Sequence, residues 1–251
     1  MNIRLAALTV TMLLAASPSL AEPSGQTTFP TAEAASHALF VAVKDHDEAA
    51  IGRILGATQT AAERRDEERL EREQFAKKYE EMHRFSRERK GKMVLYIGAE
   101  NWPFPVPLVS HNDAWRFDLA AGEKEILFRR IGENELTAIE VCRALAAAAQ
   151  DPKAHPDDEL LETLRADAQR DGTPTLYRGY HFRVLNRNGA DFAVIAYPSV
   201  YRSSGVMTFL AGQHTAIYAK DLGAHTTKLA QAISGYHPDK SWREEAGTGA
   251  P

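Results

Sequence analysis

Residues 179–223, GYHFRVLNRNGADFAVIAYPSVYRSSGVMTFLAGQHTAIYAKDLG, decide the fold. Four apolar runs stand in this stretch: YHFRVL, ADFAVIAY, GVMTFLA and HTAIYA. Asn186-Arg187-Asn188-Gly189 separates the first two, with residues that accept a positive φ. The loop Pro198 to Ser204 separates the next pair, and Gly212-Gln213 the last. In the first run Tyr180, Phe182 and Val184 alternate with His181, Arg183 and Leu185, so one strand face is apolar and the other more polar. Short strands joined by short turns predict four antiparallel strands. A helix from about Ala224 to Ser234 follows, with Leu229 and Ile233 facing inward.

Upstream the texture is helical. Glu123 to Arg130 reads as one helix, Gly132 as its break, and Asn134 as the cap of a long helix. Leu136, Ile139, Cys142 and Leu145 share a face of that helix, which packs on the strands. Cys142 is the only cysteine, so an intramolecular disulfide is excluded, and its position suits a small buried hydrophobe. Residues 151–176 read as a polar connector with one helix at 158–170.

Nearer the start, Thr31 and Asp47 can cap two helices, and Gly56 can stop the second. Leu39, Ala42 and Val43 fall on the inner face of the first, and Ile51, Ile54 and Leu55 bury in the second. Residues 61–90 are densely charged and read as one helix with Phe75, Tyr79, Met82 and Phe85 as its apolar stripe. KMVLYI and Ala114 to Asp118 read as strands. Asn101 to Pro107, with three prolines, suits a loop or edge strand. The expected class is α+β: N-terminal helices with a small antiparallel sheet, then a long helix packed on a four-stranded antiparallel sheet.

The first residues set the expected compartment. Met1 to Ala21 reads as a signal peptide, with Arg4 in the n-region, Leu5 to Ala16 as the apolar core, and Ser19 and Ala21 at −3 and −1. The run is too short to span a bilayer. The expected product is soluble and periplasmic, with no membrane span after cleavage. Its divisions are 22–132 as an N-terminal α+β domain, 133–238 as a C-terminal α+β domain, and 239–251 as a disordered tail, with 22–30 a flexible leader. Removing residues 1–21 leaves 29 basic and 34 acidic side chains, a net charge of −5. That balance argues against nucleic acid as a partner, because phosphate binding needs a basic surface.

Ala154-His155-Pro156-Asp157-Asp158-Glu159 is the one string that looks catalytic. It resembles the AHPDDE motif of zinc-dependent LmbE-like deacetylases. That resemblance would make His155 and Asp158 metal ligands and Asp157 the general base of an amide hydrolase. The context differs: no apolar strand precedes the string, no His-x-x-His pair supplies a third ligand, and a helix start follows. No cofactor is expected and no catalytic set is assigned. Trp102, Phe104 and Trp115 are candidates for an aromatic wall against an apolar or sugar ligand, or for closing the core. His181, His214 and His225 lie in or near the C-terminal strands, and His181 joins the candidate ligand-binding set.

Five blocks carry a wider resemblance: EREQFAKKYEEMHRF (71–85), IGAENWPFPVPLV (97–109), AWRFDLAAGEKEILFRRIGENELTAIEVCRA (114–144), GYHFRVL (179–185) and residues 192–223. The chain resembles a bacterial family known as domain of unknown function 2950. The resemblance implies an exported envelope protein and no activity. Two looser likenesses concern shape. Residues 31–118 are similar to an NTF2-like cone domain, and the C-terminal half looks like the head of a type IV pilin or pseudopilin. The functional expectation is a non-catalytic module that binds an envelope protein or small ligand, or that serves in envelope assembly.

Overall fold

The computed structural model describes residues 25–56, 65–88, 91–150, 174–186, 192–212 and 216–245. The chain divides into two compact units, Met1–Leu119 and Ala120–Pro251. The expected signal peptide, the helix at 158–170, the AHPDDE string and His214 lie outside the described residues.

The first unit begins with α1 (Ala32–Lys44) and α2 (Glu48–Leu55). Thr31 Oγ1 accepts from the amide of Ala34 at 3.0 Å, and Asp47 Oδ1 from that of Ala50 at 2.9 Å. Each bond satisfies an amide that the helix start would leave unpaired. Gly56 ends α2 with φ 78°, a left-handed value suited to glycine. Leu39, Ala42, Val43, Ile51 and Ile54 bury on the faces that periodicity assigns them.

Helix α3 (Arg65–Glu81) is shorter than its sequence suggests. Its last turn closes when Lys78 O and Met82 O accept the amide of Gly98 at 3.0 and 2.9 Å. His83–Arg87 then forms β1, paired antiparallel with β2 (Met93–Ile97). Pairing with a buried strand outweighs the weak helix propensity of His, Phe and Ser here. The sheet runs β1-β2-β4-β5, with β4 at Leu108–His111 and β5 at Ala114–Phe117. The Trp102–Pro103 strand, β3, pairs only with β2, which places its proline where no ladder amide is needed.

The expected flexible leader is pinned at 26–29. Phe29 and Trp115 exchange backbone hydrogen bonds at 2.8 and 2.7 Å. Gln26 Nε2 donates to Phe117 O at 2.8 Å and Ile54 O at 3.1 Å. A polar leader residue here supplies donors to carbonyls with no ladder partner.

The second unit opens with α4 (Leu119–Gln150), a single 32-residue helix. Gly132 does not break it. One interior glycine costs about 1 kcal/mol relative to alanine, and the good helix formers on both sides outweigh that. The unit boundary therefore falls at Leu119/Ala120, where α4 starts. Asn134 caps nothing, and its side chain has another use described below.

The sheet that follows has six strands, two more than expected. They are β6 (Thr175–Tyr177), β7 (Tyr180–Asn186), β8 (Ala193–Pro198), β9 (Met207–Gly212), β10 (Ile217–Asp221) and β11 (Arg243–Glu245). The order β11-β10-β9-β8-β7-β6 is an antiparallel meander. One face packs on α4 through Tyr180, Phe182, Val194, Ala196 and Phe209 against Ala138, Val141, Cys142 and Leu145. The other face lies under α5 (Thr226–Ala232), with Ile195, Tyr197 and Leu210 against Ala230. Both faces are covered, so β8 is buried along its whole length and shows little alternation.

The expected tail is ordered at 243–245. Its Arg-Glu-Glu sequence carries no apolar pattern, and β10 recruits it as a charged edge strand.

Candidate functional site

The aromatic candidates are distributed rather than gathered. Phe104 packs in the first unit's core, its ring 5.1 Å from Phe75 and 6.0 Å from Phe117. Trp115, half-buried on β5, packs against the same core. Trp102, on the edge strand β3, is 38 % exposed. Two of the three therefore close the core, and Trp102 alone presents its ring toward solvent. A cleft of the first unit lies elsewhere, between α1 and α3. It measures about 280 Å³ and is lined by Lys44, His46, Arg72 and Glu80 among others. Lys44 bonds Glu80 at 2.6 Å, and Arg72 bonds Glu48, so its charges largely satisfy each other.

His181 lies in the second unit, on the β7 face under α5. Its ring is 5.3 Å from that of Tyr197, its partner in register on β8. The β8–β9 register, with Ala196 opposite Phe209, brings Thr208 next in the row. His181 Nδ1, Tyr197 Oη and Thr208 Oγ1 are all buried without a hydrogen-bond partner. Gln231 stands near the Tyr197 hydroxyl, but no hydrogen bond of sound geometry joins them. Burial holds the His181 imidazole below its usual range, because a charged ring there would lose its hydration. Arg183, two residues along β7, has a clear task. Its Nη2 donates to Ala230 O at 2.9 Å and Ile233 O at 2.7 Å, closing the carbonyl end of α5.

The most constructed feature is one that sequence reading missed: the β8–β9 loop and what holds it. Glu135 on α4 accepts the amides of Val206 at 2.8 Å and Met207 at 3.0 Å through Oε1. Asn134 Nδ2 donates to Ser204 O at 2.8 Å. Tyr180 Oη donates to Met207 O at 2.9 Å, and its ring is fully buried. Burial first, then the neighbouring Glu135 charge, pushes the Tyr180 phenol far up, so it stays a neutral donor. Inside the loop Ser204 Oγ accepts from the Val200 amide at 3.0 Å and pairs with Ser199 Oγ at 3.2 Å. Gly205 must be glycine, since a Cβ there would meet Tyr180 Oη at 2.2 Å. The Asn134 and Glu135 bonds join residues some 70 apart in sequence. The signal that could have found them is the string Gly132-Glu-Asn-Glu135, polar residues placed where a helix turns toward its core.

A profile of the family described as protein of unknown function (DUF2950) matches residues 26–161 and 154–244. The chain belongs to the DUF2950 family. The match covers α4, the β8–β9 loop and every strand of both sheets except the last residue of β11, Glu245. No curated protein and no solved structure matches the chain.

Cys142 is buried in the core beneath the sheet, where burial pushes its thiol up to about 12, so it stays protonated and apolar. Among the described residues no cluster of three or more His, Cys, Asp or Glu could hold a metal ion. His155, Asp157 and Asp158 lie outside those residues. No described helix is long and apolar enough to cross a membrane.

Proposed function

We propose that this DUF2950 chain is an exported binding module of the bacterial envelope, with the β8–β9 loop as its contact surface. The observation that carries the reading is the Glu135–Asn134 clamp. Two side chains of α4, with Tyr180, fix a solvent-facing loop through four backbone groups of three residues: the Ser204 carbonyl, the Val206 amide, and the amide and carbonyl of Met207. A loop needs no such support merely to connect two strands, and a pre-ordered surface binds without an ordering cost. The loop displays Val200, 58 % exposed, beside Ser199, Tyr201 and Arg202. Export rests on the signal-like residues 1–21. A long helix packed on an antiparallel meander supports, as part of the proposal, a pilin-head-like arrangement for the second unit, which suits an assembly or adaptor role more than catalysis.

Export is tested by N-terminal sequencing of periplasmic protein, which should begin at Glu22. Contact is tested in cells by a photoreactive residue at Val200 and, as control, at Glu71 on α3. A discrete adduct from position 200 and none from 71 is expected. Equal or absent adducts from both would contradict the assignment.

A further inference from the structure

We infer that the end of the second unit formed by the β6–β7 turn and the β8–β9 loop binds an oxyanion, with Arg178 and Arg202 holding a carboxylate or phosphate group of the ligand. The inference rests on the loop being the contact surface and adds the chemistry that surface recognises.

Backbone conformation is the first observation. Among the described residues, six that are not glycine have positive φ: His46, Asn101, Asn112, Asp113, Arg178 and Arg202. Asn, Asp and His are the types that accept this region most readily. Arginine gains nothing from it, and the two arginines are the second unit's members of the set. Arg178 and Gly179, at φ 44° and 75°, make the tight connection between Tyr177 and Tyr180. That connection favours Asn-Gly, so arginine stands where a better turn residue was available. Arg202, at φ 60°, is held when its amide donates to Gly205 O at 2.7 Å.

The second observation is that both turns are built into one surface. Ser199 N donates to Gly179 O at 2.9 Å. A Cβ on Gly179 would lie 2.9 Å from Ser204 Cβ and 2.8 Å from Asn134 Nδ2, so the turn sits against the clamped loop. The two arginines flank that junction, and both are exposed.

The third observation is charge. Neither guanidinium has an acidic partner among the described residues. The nearby carboxylates are engaged: Glu135 by two backbone amides, and Asp221 by Tyr201 Oη at 3.1 Å and the Gly223 amide at 2.7 Å. Arg202 lies over the Tyr201 ring, 5.3 Å from its centre, which orients the guanidinium without neutralising it. A planar five-donor fork suits an oxyanion better than any other ligand class.

The test titrates the whole purified chain with pyrophosphate and, separately, succinate at low ionic strength. Amide chemical shifts of Gly179 and Ser203 report binding. Saturable shifts with either probe are expected, and the probe that binds distinguishes phosphate from carboxylate. Arg178→Gly with Arg202→Gly should weaken binding at least tenfold while leaving the unfolding midpoint unchanged or raised, because glycine accepts both conformations. Arg202→Lys should weaken it several-fold, since charge remains and the fork is lost. No binding of either probe, or binding unaltered in the double glycine variant, would overturn the inference. If the Val200 adduct persists without oxyanion binding, only the ligand chemistry fails; if both vanish, the contact-surface reading fails too.

Discussion

Glu135→Ala tests the clamp on the β8–β9 loop most informatively. Oε1 accepts two backbone amides, at 2.8 and 3.0 Å, and both bonds are partly buried. A hydrogen bond to a charged group contributes about 1.5–3 kcal/mol net, and a buried amide left unmet costs about 1–3 kcal/mol. Two such bonds, partly replaced by water at a half-open site, give an expected loss of about 2–4 kcal/mol. For a unit of this size that lowers the unfolding midpoint by roughly 8–15 °C. Glu135→Gln keeps a carbonyl oxygen in the same place without the charge, so its cost should be about 1 kcal/mol. The assay is thermal and urea unfolding followed by circular dichroism, with the slope of the urea transition checked for each variant. An alanine variant within about 0.5 kcal/mol of wild type, the scatter of neutral surface changes, would show that the Oε1 bonds do not hold the loop. A glutamine variant as unstable as the alanine variant would show the same, because the bonds would then not depend on the acceptor.

Gly205→Ala forces a methyl to 2.2 Å from Tyr180 Oη, and the buried ring has no room to retreat. The expected cost is about 2–4 kcal/mol from overpacking and a disturbed hydrogen bond, and less in a Tyr180→Phe background, as urea unfolding of the four-member cycle would show. Tyr197→Phe should be neutral or stabilise by up to about 1 kcal/mol, since it removes a buried hydroxyl with no partner; a loss above that would mean the hydroxyl is satisfied in solution. Burial lowers the His181 pKa in the folded chain, so the unfolded chain takes up the proton first as pH falls. Its contribution is fully present above the unfolded value near 6.5 and is lost below it. The drop in stability from pH 7.5 to 5.5 should therefore be smaller in His181→Asn than in wild type, and equal drops would show that His181 is not involved.

Much of this architecture is written locally. Thr31, Asp47 and Gly56 sit where caps belong because their side chains, or the lack of one, solve a problem three or four residues wide. The alternation in YHFRVL survives because each face of β7 meets a different neighbour. What sequence did not reveal depends on distant partners. Gly132 reads as a break only if the flanking turns are ignored. His83 to Arg87 leaves the helix because β2 offers a ladder, and Arg243 to Glu245 becomes a strand because β10 has an open edge. Asn134 has the composition of a cap, and only the fold shows that its amide serves Ser204 instead. The same limit applies to Trp102, Phe104 and Trp115. An aromatic cluster in sequence cannot distinguish a wall from a core, and here Phe104 packs tilted against the Phe75 ring and edge-on to that of Phe117.

Through Glu135 and Asn134, α4 orders the β8–β9 loop in the free protein. Native-state hydrogen exchange of the Val206 and Met207 amides tests it directly. Both should be strongly protected in wild type, and Glu135→Ala should bring them close to the exposed-chain rate while the Ile195 and Leu210 amides stay protected. Rapid exchange at Val206 and Met207 in the wild-type chain would contradict the claim.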